Sequence, residues 1–214
     1  PGVQRVFDWS FYSQGTREQG AASADAFIAK ALEFFGDQAM ANSPEHPWNK
    51  GSRLAQLVRE RRTLLVLDGL EPLQYPPGPL AGCLKDPALD ALLKGLAQQN
   101  PGLCVVTTRQ RVTDLTPFHD TTVPQWDLDH LTEEVGAALL HRSGANRAGA
   151  ASINRDDPEL RAASQEVKGH ALTLRILGTF LAKAHHGDIR KRDLVNFEEA
   201  DAKTQGAHAF KAIA

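Results

Sequence analysis

The sequence is poor in cysteine and in long apolar runs. Its two cysteines, Cys83 and Cys104, cannot build a disulfide framework, and the apolar run around Cys104 predicts a small buried side chain there. No apolar stretch reaches about 18 residues, the length that indicates a membrane-spanning helix. Together these features favour a protein of the cytoplasm.

An excess of charge of either sign is also missing. The formal net charge is -2 over 214 residues, which argues against a surface that coats a polyanion. Basic residues are spread along the chain without interleaved aromatic residues, so the sequence predicts no direct contact with nucleic acid. With 42% hydrophobic and 23% charged residues, the composition is that of a folded domain rather than of a disordered chain.

The most informative stretch is residues 63–71, TLLVLDGLE. Its apolar run has no alternation and predicts a strand buried on both faces, as in a parallel sheet covered by helices. Asp68 would then lie at the carboxyl end of the strand, where open α/β sheets place their ligands, and Glu71 would follow a tight turn at Gly69. Such a pair suits a Mg²⁺–nucleotide site, with Asp68 holding the metal and Glu71 orienting an attacking water. The alternative is a capped strand end with two solvated acids.

Alternating strands and helices predict an α/β fold with a parallel sheet flanked by helices over residues 1–128. A helical subdomain without strands is expected over residues 129–195. The predicted strands cover residues 3–11, 63–67, 103–107 and 121–128, and the predicted helices cover 24–35, 50–62, 87–99, 133–143, 158–168 and 171–184, with a loop over 42–49.

A second charged side chain, Arg109, follows the strand predicted over residues 103–107. A guanidinium at this strand tip binds phosphate oxygens well, so Arg109 could contact a terminal phosphate beside Asp68 and Glu71. The alternative is a salt bridge from Arg109 to a neighbouring acid. The proline-rich loop over residues 72–79 either contacts a ligand or partner or is a rigid connector.

Five blocks of sequence, taken in order along nearly the whole chain, resemble a bacterial branch of the STAND class of P-loop NTPases, which includes the NACHT and NB-ARC switch proteins. The resemblance implies that Asp68 and Glu71 belong to the Walker B segment and that Arg109 is the sensor 1 arginine. It places Gly169, His170 and Ala171 in the Gly-x-Pro motif near adenine, with alanine where the class has proline. The blocks are residues 9–16 (WSFYSQGT), 64–71 (LLVLDGLE), 105–109 (VVTTR), 128–134 (LDHLTEE) and 169–174 (GHALTL).

The resemblance also implies partners and a mechanism. ATP or ADP with Mg²⁺ would bind, the ATP-bound protein would self-associate, and slow hydrolysis would reset the switch. Effector and sensor domains would lie outside these residues, and residues 196–214 would begin a winged-helix-like segment.

The phosphate loop of the class, Gly-x-x-x-x-Gly-Lys-Ser/Thr, does not occur in the sequence. The chain is therefore expected to be a fragment that starts after this loop, a P-loop NTPase or AAA-like core without its first strand. Because the loop and its lysine supply most of the phosphate binding, residues 1–214 alone are expected to bind nucleotide weakly or not at all and to be inactive as an ATPase.

A different class of function is a non-enzymatic interaction scaffold built on a degenerate NTPase fold. The missing phosphate loop and Ala171 favour the scaffold, whereas the joint presence of Asp68, Glu71 and Arg109 favours the active switch. A third alternative is a transcription regulator whose DNA-binding effector lies elsewhere.

Overall fold

The computed structural model of the chain describes residues 2–12, 23–147 and 153–194. The chain divides into two compact units, Pro1–Trp126 and Asp127–Ala214. The turn expected at residues 13–16 and the winged-helix-like segment expected at residues 196–214 lie outside the described residues.

The first unit contains a three-stranded parallel sheet in the order β1-β2-β3, which confirms the predicted α/β class with a parallel sheet. The strands are β1 (Arg5–Ser10), β2 (Thr63–Asp68) and β3 (Leu103–Val106). The register aligns Phe7 with Leu65 and Cys104, and it pairs Ser10 with Asp68 at the carboxyl end.

Four helices connect these strands: α1 (Asp25–Phe35), α2 (Gln38–Asn42), α3 (Pro47–Arg59) and α4 (Pro87–Gln98). Local signals set several ends, since Gly36 closes α1 in a left-handed conformation and the Asp86 side chain accepts the first free N–H groups of α4. The loop predicted over residues 42–49 is shorter than expected, because His46 caps α3 and Pro47 occupies its first position.

One face of the sheet carries the core of this unit. Phe7, Trp9 and Cys104 lie on that face together with the fully buried Leu65 and Leu67. Helices α1, α3 and α4 cover it with buried apolar side chains, chiefly Phe27, Leu32, Leu54, Leu89 and Leu92. Both cysteines are free, and burial raises the pKa of the Cys104 thiol to about 12, so this side chain is a protonated, apolar-like part of the core.

The opposite face is exposed in the part of the chain that the structure describes. Val6 is 55% exposed and Leu103 is 58% exposed, and these two side chains flank Leu64 across the sheet. The prediction that the apolar strands are buried on both faces is therefore wrong for the described residues. An apolar run indicates that both faces of a strand can be buried, but each face is buried only if a helix or another element packs against it.

The strand predicted over residues 121–128 is also wrong. This stretch forms turns and irregular structure after a 3-10 helix at Thr113–Phe118. The Thr121 and Thr122 hydroxyls donate to backbone carbonyls of Phe118 and Ala97, which competes with strand pairing, and Pro124 has no N–H to donate.

The second unit is helical in its described part, with α5 (Glu133–Arg142), α6 (Pro158–Glu166), α7 (Ala171–Ala184) and a 3-10 helix at Ile189–Leu194. Thr132, Asp157 and His170 cap the three α-helices through their side chains. Helix α6 ends before its predicted limit because Lys168 and Gly169 both have positive φ. The core of the unit includes Leu140, Leu160, Leu174, Leu177 and Leu181.

Within the described residues, no helix has the length and apolar character needed to cross a membrane.

Candidate functional site

The carboxylate of Asp68 ends the central strand and is held from both neighbouring strands. Ser10, the last residue of β1, donates a hydrogen bond from Oγ to Oδ2 of Asp68 at 3.2 Å. Thr107, directly after β3, donates from Oγ1 to Oδ1 at 2.7 Å. The ends of all three strands thus meet at one carboxylate, on the edge of the sheet where open α/β folds bind ligands.

The chain leaves β2 through the predicted turn at Gly69, whose φ of 74° is a left-handed conformation that favours glycine. The Gly69 N–H donates to Oγ1 of Thr107 at 2.9 Å, and the Leu70 N–H donates to the Thr107 carbonyl at 3.0 Å. This turn leads into a 3-10 helix, Glu71–Leu73, so Glu71 follows Asp68 after two residues.

Glu71 is engaged through both carboxylate oxygens. The Tyr12 hydroxyl donates to Oε2 at 2.5 Å, and Nε of Arg109 lies 3.8 Å from Oε1. The structure therefore contains the salt bridge that was the alternative for Arg109. Since 80% of the Arg109 side chain is exposed, this long ion pair is weak and leaves the guanidinium accessible to an anion.

The predicted residues of this unit influence one further side chain, Tyr12. Besides burial, the carboxylates of Glu71 and Asp68 raise the pKa of its hydroxyl, and the Arg109 guanidinium lowers it. Burial, followed by the hydrogen bond to Glu71 and the charge of that carboxylate, raises the pKa of Tyr12 to about 12. At neutral pH the Tyr12 hydroxyl is therefore protonated and donates the hydrogen bond, and the Glu71 carboxylate accepts it.

The turn that carries Arg109 is anchored by a buried amide, Gln74. Its Nε2 donates to the carbonyls of Gly82, Gln110 and Arg111 at 3.0–3.2 Å, and its Oε1 accepts from the Thr108 hydroxyl at 2.5 Å. Gln74 is only 3% exposed, so these bonds compensate the burial of a polar group. They fix the backbone on either side of the exposed Arg109.

The proline-rich loop forms one wall of a cavity of about 350 Å³ beside Glu71 and Arg109. Tyr75, Pro76 and Pro77 supply the apolar part of the wall, and Lys85 supplies a cation. The loop is held by backbone hydrogen bonds, since the Tyr75 N–H donates to Cys83 and the Gly82 N–H donates to Tyr75. It is a fixed connector that also lines this cavity.

The donor atoms at the strand tips suit Mg²⁺. Asp68 offers carboxylate oxygens, which are hard ligands, and the Ser10 and Thr107 hydroxyls orient them. The described part of the chain contains no group of three or more His, Cys, Asp or Glu residues placed so that together they could hold a metal ion. Mg²⁺ binds nucleotide sites with one or two carboxylates and completes its shell with water and phosphate, so Asp68 is the residue that could hold the metal.

The other predicted site residues lie in the second unit, between α6 and α7. Gly169 has a φ of 69°, and its carbonyl accepts the Leu131 N–H at 2.9 Å. His170 caps α7, and its ring lies 5.7 Å from the ring of His130. Ala171, the first residue of α7, is exposed. Two separate blocks of the sequence, 128–134 and 169–174, therefore meet within this unit.

Four participants were given no role in the site by reasoning from sequence: Ser10, Tyr12, Thr107 and Gln74. Ser10 and Thr107 could have been found by aligning the carboxyl ends of the three predicted parallel strands, because strand tips in one sheet are neighbours. Tyr12 and Gln74 left no comparable signal, since their partners depend on how two loops fold back.

No family model, no curated protein and no solved structure matches the chain.

Proposed function

We propose that the chain is the nucleotide-binding and helical part of a STAND-type ATPase switch that is controlled by ATP and ADP and acts in signal transduction or defence. The observation that carries this proposal is that Asp68 ends the central strand at the carboxyl edge of a parallel sheet, and that Glu71, two residues beyond the turn, lies 3.8 Å from the exposed Arg109. An acid that can hold a metal, an acid that can orient water and an exposed guanidinium are the side chains that phosphoryl transfer requires.

The same proposal extends to the fold, as a P-loop NTPase or AAA-like core without its first strand. In the described part of the chain, β3 is an edge strand. An open edge accepts a further strand through its backbone N–H and C=O groups. A phosphate-binding loop would have to come from sequence outside residues 1–214, since none occurs within them.

Each residue would have one role in hydrolysis. Asp68, oriented by the Ser10 and Thr107 hydroxyls, would hold Mg²⁺ directly or through water, and the bound ion would neutralise phosphate charge. Glu71 would accept a hydrogen bond from the attacking water. The water oxygen bonds to the γ-phosphorus as the bond to the bridging oxygen breaks, which yields ADP, phosphate and a proton released to solvent. Arg109 would move from Glu71 to the phosphate.

The test uses a longer form of the protein that carries a phosphate loop. Asp68→Ala should abolish Mg²⁺-dependent ATP binding in calorimetry, whereas Glu71→Gln should bind ATP normally and hydrolyse it at least about a hundredfold more slowly. Glu60→Gln is the matched control, because Glu60 is an exposed acid between α3 and β2, at the opposite edge of the sheet. Equal turnover of Glu71→Gln and the wild type would reject the assigned role.

Residues 1–214 by themselves should bind ATP or ADP weakly or not at all in the same assay. Tight, Mg²⁺-dependent binding would contradict the proposed need for an external phosphate loop. If the longer protein contains no Lys-Ser/Thr loop and self-associates regardless of nucleotide, the chain is instead the non-enzymatic scaffold, which the exposed Ala171 in place of a proline also fits.

A further inference from the structure

Tyr12 lies near Asp68 and Glu71 because the backbone hydrogen bonds between the first two strands continue beyond the end of β1. The Phe11 N–H donates to the Asp68 carbonyl at 2.9 Å, which carries the register of the two strands one residue further. Tyr12 therefore starts beside the turn at Gly69. Although the side chain is 54% exposed, it makes two specific contacts there.

The first contact is with Gly69, which provides the surface on which the tyrosine ring rests. A Cβ atom built on Gly69 would lie 2.1 Å from Cε2 and 2.2 Å from Cδ2 of Tyr12. Any other residue at this position would push the ring away. Glycine at position 69 is thus required for two reasons: it adopts the left-handed turn, and it leaves room for the Tyr12 ring.

The second contact, between Oη of Tyr12 and Oε2 of Glu71, is short and directional at 2.5 Å. It occupies one acceptor site of this oxygen and restricts rotation of the carboxylate. The other oxygen, Oε1, lies 3.8 Å from Nε of the exposed guanidinium of Arg109. When that guanidinium turns to an anion, Oε1 is the oxygen left to accept a hydrogen bond.

We infer that Tyr12 is a positioning residue: seated on Gly69, it holds Oε2 of Glu71 so that Oε1 points at the attacking water. This inference rests on the proposed function, because it assigns a supporting residue to the acid that orients water. A carboxylate held in one orientation is worth more to the reaction than a freely rotating one, since misplacement of a reacting group by about 1 Å can lower the rate about a hundredfold.

The contact itself is tested on residues 1–214 by following tyrosinate absorbance. The chain has two tyrosines, so Tyr75→Phe leaves Tyr12 as the one reporter. Between pH 10 and 11, Tyr12 should stay largely protonated, and Glu71→Gln should lower its pKa from about 12 towards the ordinary value of about 10. An unchanged titration in the Glu71→Gln variant would overturn the inference and leave the proposed function intact.

The role is tested by turnover in the longer protein that carries a phosphate loop. Tyr12→Phe keeps the ring on Gly69 and removes the donor, so kcat should fall roughly tenfold to a hundredfold while KM for ATP stays unchanged. Because Tyr12 acts through Glu71, the double variant with Glu71→Gln should be no slower than Glu71→Gln alone, whereas independent structural damage would add. Thr121→Val, which removes an exposed hydroxyl that donates to the Phe118 carbonyl, is the control and should keep full turnover.

Each failure has a distinct signature. If Glu71→Gln slows hydrolysis and Tyr12→Phe does not, or if the two effects add, the inference about Tyr12 is wrong and the proposed function stands. If Glu71→Gln leaves hydrolysis unchanged, the proposed function fails and the inference fails with it.

Discussion

The Thr107 hydroxyl lies between two groups of the acidic turn. Its oxygen accepts the Gly69 N–H at 2.9 Å, so its single proton is directed to Oδ1 of Asp68, 2.7 Å away. A residue just past β3 therefore fixes both the backbone and the carboxylate at the tip of β2, although Thr107 and Asp68 are 39 positions apart along the chain.

Replacing Thr107 with valine tests the contribution of the hydroxyl alone, because valine has nearly the same shape as threonine. Thr107→Val keeps the volume and removes both hydrogen bonds, so the free energy of unfolding should fall by about 1 kcal/mol in chemical denaturation. Under the proposed function, Mg²⁺-dependent ATP affinity should fall as well in a form of the protein that carries a phosphate loop, because Asp68 loses a donor that orients it. Thr107→Ser retains the hydroxyl and should preserve ATP affinity. Equal loss of affinity in both variants would contradict the explanation.

Gly51 in α3 should tolerate no side chain. A Cβ there would lie 1.9 Å from the Ala88 carbonyl oxygen, because α3 and α4 pack backbone against backbone. In an exposed helix Gly→Ala stabilises by about 1 kcal/mol, but Gly51→Ala should destabilise by about 3 kcal/mol in chemical denaturation, since backbone atoms must move. Gln56→Ala, on the exposed side of the same helix, should change stability by less than about 0.5 kcal/mol. A stabilised Gly51→Ala protein would refute this packing.

Helix ends and strands were predictable where their causes are local. Asp86-Pro87 and Asp157-Pro158 each place a capping carboxylate before a proline, and α4 and α6 begin at those prolines. The strand at residues 63–68 was predictable for the same reason, because five consecutive apolar or β-branched residues precede an acid and a glycine.

Features that depend on distant partners were not predictable. The exposed face of β3 depends on which elements fold over it, and that information is not in the residues of β3. The candidate site divides in the same way. Asp68, Glu71 and Arg109 could be proposed from their positions after apolar runs, whereas the contact of Tyr12 with Glu71 joins residues 59 positions apart through two loops.

Acid should destabilise the second unit through Asp188. This carboxylate is 3% exposed, and hydrogen bonds from Arg190, with Nε at 2.9 Å and Nη2 at 2.9 Å, lower the pKa of Asp188 from 3.8 to about 2. Because the folded pKa lies below the unfolded one, this stabilisation is complete above about pH 4 and is lost as the pH falls from about 4 to about 2.

The measurement is the free energy of unfolding of the second unit as a function of pH, followed by hydrogen exchange in α7. Asp188→Asn removes the titrating group, so the fall in stability between pH 4 and 2 should become shallower than in the wild type. Asp193→Asn, an exposed neighbour in the same 3-10 helix, should leave the profile unchanged. An identical slope in the Asp188→Asn protein would contradict the assignment.

Position 169 should require glycine for two reasons, its positive φ and the close approach of the Leu131 backbone. A Cβ at Gly169 would lie 2.0 Å from the Leu131 carbonyl oxygen, whereas Gly36, with a φ of 97°, has no atom within 4 Å of the same position. Gly36→Ala should therefore show the backbone strain alone, about 1 kcal/mol, and Gly169→Ala should lose about 3 kcal/mol or more. Hydrogen exchange in α1 and in α7 reports the two units separately. Equal losses would mean that the approach of Leu131 to Gly169 contributes nothing, and the meeting of the two sequence blocks in the second unit would then be incidental.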